Sequence, residues 1–295
     1  MQNAQRTSHS TGVEIQCRLC GGSRCRVLYA LANNDVIRCQ ECDLVFFRHI
    51  GTEEEIAKIY GEEYFFGAPS YFSVAEDSPV VRDHKRNLDR LEGIPRGSLL
   101  DVGCATGVFA RLAQQRGWRV SGVELSPWAS RIAREHGVDV YTGTLENAGF
   151  PDNSFSVVSA FDVIEHVRDP LALLSEIRRI LAPGGTLIMN TTCYRSGLNY
   201  VAHALNAVGF GSAPLHRLFP HYHLYYFSSK SLREILSRAG FIAEDILHDE
   251  YSLDRIDNVS GPVKAVMRLI YYVQGWLGLT TVLCAVARKP EAKTP

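Results

Sequence analysis

Residues 99–110 read LLDVGCATGVFA, an apolar run that passes through one acid, Asp101, into two glycines four residues apart, Gly103 and Gly107. This order predicts a strand over 98–102, a tight turn in which the glycines allow close backbone approach to a ligand, and a helix from Val108 with Phe109, Leu112 and Ala113 on one face. Twenty-three residues after Asp101, a second strand over 119–123 ends in Glu124. An acid at the tip of a second strand is placed to accept from both hydroxyls of a ribose. The loop reads G-C-A-T-G with an acid ahead of it, which departs from the G-x-G-x-x-G spacing of a nicotinamide dinucleotide site.

Three further segments follow in order. SFSVVSAFDVIEHVRDP (154–170) reads as a strand and turn, the next residues as a helix with Leu173, Leu174, Ile177, Ile180 and Leu181 on one face, and LAPGGTLIMNTT (181–192) as a helix end, a Pro-Gly-Gly turn and a strand. Together these segments resemble the class I S-adenosylmethionine-dependent methyltransferases, whose first motif is D/E-x-G-x-G-x-G; Ala105 stands at the middle glycine, a departure that keeps the backbone accessible. The resemblance implies an α/β fold over 95–295, a doubly wound Rossmann-like sheet with a final antiparallel strand, and S-adenosylmethionine as cofactor. It also implies Asp101, Gly103 and Phe161 near the methionine part, Gly107 in the turn, Glu124 on the ribose, and Leu125 and Leu145 against the adenine. Thr144 stands where many relatives carry an acid toward the adenine amine.

Cys17-x-x-Cys20 and Cys39-x-x-Cys42 are separated by eighteen residues, the spacing of a four-thiolate zinc site. Four sulfurs fill all coordination positions, so the zinc is expected to be structural. Cys25 fits neither pair, and Cys104, Cys193 and Cys284 read as packing residues. RCQECDLVFF (38–47) resembles the zinc ribbon that precedes the domain of sugar C-methyltransferases. The expected organisation is a disordered segment over 1–13, a ribbon over 14–50, a helical linker or lid over 51–94, and the main domain with an acceptor-site insertion over 193–227. The linker opens on a capping box, Thr52 and Glu55, and carries Tyr60, Tyr64, Phe65, Phe66, Tyr71 and Phe72. These rings suit either a lid or a glue between ribbon and core.

Lys and Arg total 31 against 32 for Asp and Glu, a formal net charge of −1. A nucleic-acid footprint needs a basic excess or stripe, so a small-molecule acceptor such as a glycan, nucleotide sugar or secondary metabolite is expected over RNA, with a non-catalytic cofactor-binding protein as the remaining alternative. No apolar core lies in residues 1–13, which places the chain in the cytoplasm by expectation. Residues 269–287 are uncharged, but Val266, Leu269, Ile270, Val273, Trp276 and Leu277 repeat at helical spacing, and Gly275 and Gly278 interrupt. Helix, turn and final strand is the better reading than a membrane span. The helices near 198–208 and 263–277 also admit peripheral contact with a membrane surface and a lipid-linked acceptor.

Two histidines suit proton removal from an acceptor. His166, in IEHV, lies past the end of the fourth strand, where sites of open α/β sheets form; its pair with Glu165 also resembles the E-H of ubiquinone-type O-methyltransferases, which implies orientation of the loop as the other reading. His223 lies in FPHYHLYYFS (219–228), inside the insertion expected to roof the acceptor, which favours it as base. The sugar C-methyltransferases carry Y-H-E-H at that place, whereas this chain has Pro220, His221, Tyr222 and His223. The missing tyrosine and glutamate favour methylation of oxygen over carbon.

Overall fold

The structure, a computed structural model, describes residues 15–31, 34–59, 63, 75, 77–208, 218–255 and 261–291. The segment 1–13, the six linker aromatics and the last residues of the KPEAKTP tail lie outside them. Among the described residues, eleven strands and eight helices follow in chain order: β1 (Cys25–Ala30), β2 (Asp35–Cys39), β3 (Val45–Phe47), α1 (Glu53–Ile59), α2 (Pro79–Asp89), β4 (Ser98–Val102), α3 (Val108–Gln115), β5 (Arg119–Glu124), α4 (Pro127–Glu135), β6 (Asp139–Thr142), β7 (Phe155–Phe161), α5 (Pro170–Ile180), β8 (Leu181–Thr192), α6 (Gly197–Ala207), β9 (Tyr225–Tyr226), α7 (Ser229–Arg238), β10 (Ile242–Asp249), α8 (Gly261–Leu277) and β11 (Val282–Arg288).

Seven strands form one sheet in the order β10-β11-β8-β7-β4-β5-β6. β4 pairs in parallel with β5 and β7, and β8 with β7, while β11 runs antiparallel to both β8 and β10. The expected doubly wound sheet with a final antiparallel strand is thus present. Alternation along β4 feeds both faces: Leu100 packs with α5 and α7 on one side, and Leu99 with α2 and α3 on the other. Three helices begin with a polar cap followed by proline, Ser78-Pro79, Ser126-Pro127 and Asp169-Pro170, each cap oxygen accepting from a backbone amide of the first turn. The Thr52–Glu55 capping box is also present, with Thr52 N donating to Glu55 Oε2 at 2.8 Å and Glu55 N to Thr52 Oγ1 at 3.2 Å.

β8 begins at Leu181, so the Pro-Gly-Gly stretch is part of the strand and not a turn ahead of it. The residues of 266–277 do form a helix, but its apolar side faces outward. Val266, Leu269 and Trp276 are exposed, Trp276 at 86%, and the buried side chain of α8 is Gln274. No helix among the described residues is long and apolar enough to cross a membrane.

The ribbon strands β1, β2 and β3 form a second sheet, and its fourth strand is β9 from the insertion: Val45 pairs with Tyr226 and Phe46 with Tyr225. Arg195 Nε binds Asp43 Oδ2 at 2.7 Å, and Tyr29 Oη meets His203 Nδ1 at 2.8 Å. Leu44 and Phe46 share one buried cluster with Leu224, Phe227 and Ile235. Ribbon and main domain are therefore joined through the segment that carries His223.

Candidate active site and metal centre

A cavity of about 230 Å³ opens over the carboxyl ends of β4, β5 and β7. Its wall includes Asp101, Gly103, Ala105, Glu124, Leu125, Thr144, Leu145, Phe161 and His166. Nearly all the residues expected on a cofactor thus converge on one space; Gly107 stands one turn back, where a Cβ would lie 3.1 Å from that of Ala133 at φ +81°. Ala105 occupies the left-handed region at φ 48°, the conformation that the family's glycine adopts at no cost. An alanine there carries about 1–2 kcal/mol of strain.

Glu124 ties the site together. Its Oε2 accepts from Ala105 N at 2.9 Å and its Oε1 from Ser126 N at 2.7 Å, so one carboxylate fixes both the glycine loop and the start of α4. A carboxylate has about four acceptor positions, which leaves capacity for a ribose diol. Burial raises its pKa against these two amides. Asp101 accepts from Ser159 Oγ at 2.7 Å, and burial pushes its carboxyl up to about 7, with the Glu124 charge adding to the effect. A cationic sulfonium or ammonium beside it would favour the ionised form. At the far side, the rings of His84, Phe109 and Phe161 form a cluster with centroids 4.7–5.6 Å apart. A side chain at Gly103 would meet Val163 Cγ2 at 2.6 Å, and the residue sits at φ +70°, so the position favours glycine. The acidic grip, the glycine turn and the apolar Leu125 and Leu145 fit an adenosyl cofactor. Replacing Glu124 by alanine is expected to cost about 1–3 kcal/mol of its binding, about tenfold to a hundredfold in Kd by calorimetry. Unchanged affinity would remove Glu124 from the site.

The two histidines stand together, their centroids 4.7 Å apart and their rings nearly perpendicular. His166 Nδ1 lies 2.9 Å from the Tyr222 carbonyl, which only accepts, so the neutral ring carries its proton there and Nε2 is the basic nitrogen. Burial lowers the pKa of both rings, that of His223 further because His166 adjoins it. Behind them Glu165 accepts from Thr191 Oγ1 at 2.9 Å and from Thr192 N and Oγ1 at 3.3 Å, and Thr192 Oγ1 meets His223 Nδ1 at 3.3 Å. Donor atoms of Glu165, His166 and His223 lie within 4.8 Å of one another, compact enough for a cation as well as for this hydrogen-bonded cluster. His166 lines the cavity, whereas His223, half-buried, is not among its lining residues. Sequence reasoning missed His84, Asp162 and Arg255, which also line the wall. Asp162 could have been found from its place just past β7; Arg255 sits in a turn with no motif.

In the ribbon, the sulfurs of Cys17, Cys20, Cys39 and Cys42 lie within 4.8 Å of one another, with Cys17–Cys42 at 3.4 Å and Cys20–Cys39 at 3.6 Å. Tetrahedral zinc with bonds of about 2.3 Å needs sulfurs about 3.8 Å apart, so the four residues fit that ion. Gly21 at φ +72° and Asp43 at φ 69° turn the two knuckles, and Glu41 N points to Cys39 Sγ at 3.4 Å. Cys25 is outside the cluster, its thiol toward Gly22 O at 3.7 Å.

The family described as "Methyltransferase domain" matches residues 77–245, more than half of the chain. The chain belongs to that family. The ubiquinone biosynthesis O-methyltransferase of Xanthomonas campestris pv. campestris (strain B100) is 31% identical over 157 residues, 49% of this chain and 63% of that protein. The chain thus spans under two thirds of the length of that curated relative. The protein of the same name from Xanthomonas axonopodis pv. citri (strain 306) is 30% identical over 186 residues, 58% of this chain and 75% of that one. Among solved structures, a SAM-dependent methyltransferase from Archaeoglobus fulgidus aligns with a TM-score of 0.55 at 19% identity, over 77% of this chain and all of that one. An N-methyltransferase of Haemonchus contortus aligns with a TM-score of 0.59 at 17% identity, over 89% and 71%. These likenesses establish the fold of S-adenosylmethionine-dependent methyltransferases.

Proposed function

We propose that this chain transfers the methyl group of S-adenosylmethionine to an oxygen of a small-molecule acceptor. The observation that carries the reading is a neutral histidine, His166, at the wall of the cavity that Asp101 and Glu124 also line, with the His223 ring packed against it. The cofactor, when bound, supplies an electrophilic methyl carbon on a sulfonium. Glu124 binds the ribose, Asp101 faces the positive end, and Leu125 and Leu145 exclude water from the adenine. His166 Nε2 accepts the proton of the acceptor hydroxyl, and the Tyr222 carbonyl holds the ring so that the resulting imidazolium stays oriented. His223 adjoins it on Thr192, and Glu165 anchors that threonine. The acceptor hydroxyl belongs to a glycan, nucleotide sugar or secondary metabolite; the name of the Xanthomonas relatives favours oxygen as the methylated atom. The apolar outer face of α8 suits an acceptor carried on a lipid. Zinc on the four ribbon cysteines is structural.

Labelled cofactor and a panel of hydroxylated metabolites test this reading by the appearance of labelled methyl ether. The pH profile adds a second check. A histidine whose pKa is lowered keeps its basic form as the pH falls, so turnover should hold through the ordinary histidine value of about 6.5 and be lost only below it. An acid limb centred at or above about 6.5 would contradict a buried histidine base.

A further inference from the structure

Arg255 ends the short turn Leu253–Arg255 between β10 and α8 and is 5% exposed, yet it lines the cavity. Among the described lining residues it is the one cation other than histidine. Its position is held from two sides. Its guanidinium lies over the Tyr251 ring, 4.3 Å from the centroid, and Tyr251 Oη donates to Asp162 Oδ1 at 2.8 Å while accepting from Asn190 Nδ2 at 3.1 Å. On the other side Arg255 Nη1 is 3.5 Å from Asp83 Oδ2 on α2, with both side chains 4% exposed. Arg86 also binds Asp83 at 3.1 Å and reaches Asp249, which Arg90 binds at 2.7 Å. Asp83 thus divides its charge between two arginines, and Arg255 is the one whose side chain reaches the cavity.

Sheet order locates this group relative to the cofactor. Glu124, Leu125, Thr144 and Leu145 lie at or past the ends of β5 and β6 on one side of β4, whereas Phe161 and Asp162 lie at the end of β7 on the other, with Asn190 on β8 and Tyr251 just past β10 beyond. A molecule whose ribose is held by Glu124 must run its other arm across Gly103 toward His84, Phe161 and Arg255. Burial and the neighbouring Arg255 charge hold His84 neutral, with its pKa down to about 3. The arginine is therefore the charge that this end offers to an anion.

We propose that Arg255 anchors a carboxylate at the far end of the cavity, and that the carboxylate is that of the cofactor's methionyl arm. A guanidinium presents paired donors that match a carboxylate, and stacking on Tyr251 fixes the plane of the fork. The assignment rests on the adenosyl reading of the cavity. An acidic acceptor is the other source of the same chemistry.

The test compares S-adenosylhomocysteine with 5′-methylthioadenosine, which lacks the amino and carboxyl groups, by calorimetry on the full chain. Wild type should prefer S-adenosylhomocysteine. Arg255→Gln should weaken it about tenfold to a hundredfold, as loss of a charged hydrogen bond does, and leave methylthioadenosine within about threefold. Equal weakening of both ligands, or an unchanged preference, would overturn the assignment to the cofactor. In the second case, a raised KM for an acidic acceptor beside an unchanged KM for its neutral analogue would move the carboxylate to the acceptor; no change in either would end the proposal. If the glutamine variant does not fold, Arg255→Lys carries the test: it keeps the charge, loses the fork, and should weaken S-adenosylhomocysteine alone by about threefold to tenfold. Failure of wild type to bind either ligand would instead refute the adenosyl reading itself.

Discussion

Replacing His166 and His223 together by asparagine should lower turnover about a hundredfold to ten-thousandfold while the cofactor's Kd stays within about threefold. The separation of the two effects follows from position. The pair sits past β7 and in the insertion, on the side of the sheet away from Glu124 at the tip of β5, so its loss removes proton transfer and spares the ribose grip. Asparagine keeps a polar group near the Tyr222 carbonyl and Thr192 Oγ1, which limits repacking of a cluster that Glu165 already holds. His166→Asn alone should account for most of the loss, because His166 lines the cavity and His223 only packs against it. Activity of the double variant within about tenfold of wild type would exclude histidine base catalysis and point to positioning alone.

Substituting Cys39 by serine should remove zinc and unravel more than the ribbon. Structural zinc contributes about 10–16 kcal/mol of apparent binding free energy in small zinc domains, comparable with the whole stability of a domain. Cys39 lies at the end of β2, and its loss frees β3, whose partner on the other edge is β9. β9 directly follows the loop that supplies the Tyr222 carbonyl to His166 and places Leu224 N on the Glu165 carbonyl at 2.7 Å. Elemental analysis should show the metal lost, hydrogen exchange should show lost protection in β1, β2, β3 and β9, and turnover should fall at least about tenfold through the displaced histidines. Cofactor affinity should change little, since the loop between β4 and α3 is held by Glu124 and not by the ribbon. Full zinc occupancy in the variant, or unchanged exchange in β9, would refute the coupling.

What the sequence by itself determined was whatever a few consecutive residues can dictate. Asp101, Gly103 and Gly107 specify a strand, turn and helix through local backbone preference, and Glu124 marks the end of the next strand; the cavity forms where these say it should. The two Cys-x-x-Cys knuckles are equally local, and their sulfurs meet within 4.8 Å. Helical spacing over 266–277 correctly gave a helix, but spacing is blind to what lies opposite, and the apolar side faces outward with Gln274 turned in. Tertiary structure alone decided the rest. A two-residue strand such as Tyr225–Tyr226 has too short a pattern to announce itself, and it exists because Val45 and Phe46, far away in the chain, offer it an edge. The same long-range closure put His166 before His223 at the cavity wall and brought Arg255 into it from a turn without a motif. Local patterns fix backbone conformation, whereas the neighbours of a side chain are set by contacts between segments whose meeting no short stretch of sequence encodes.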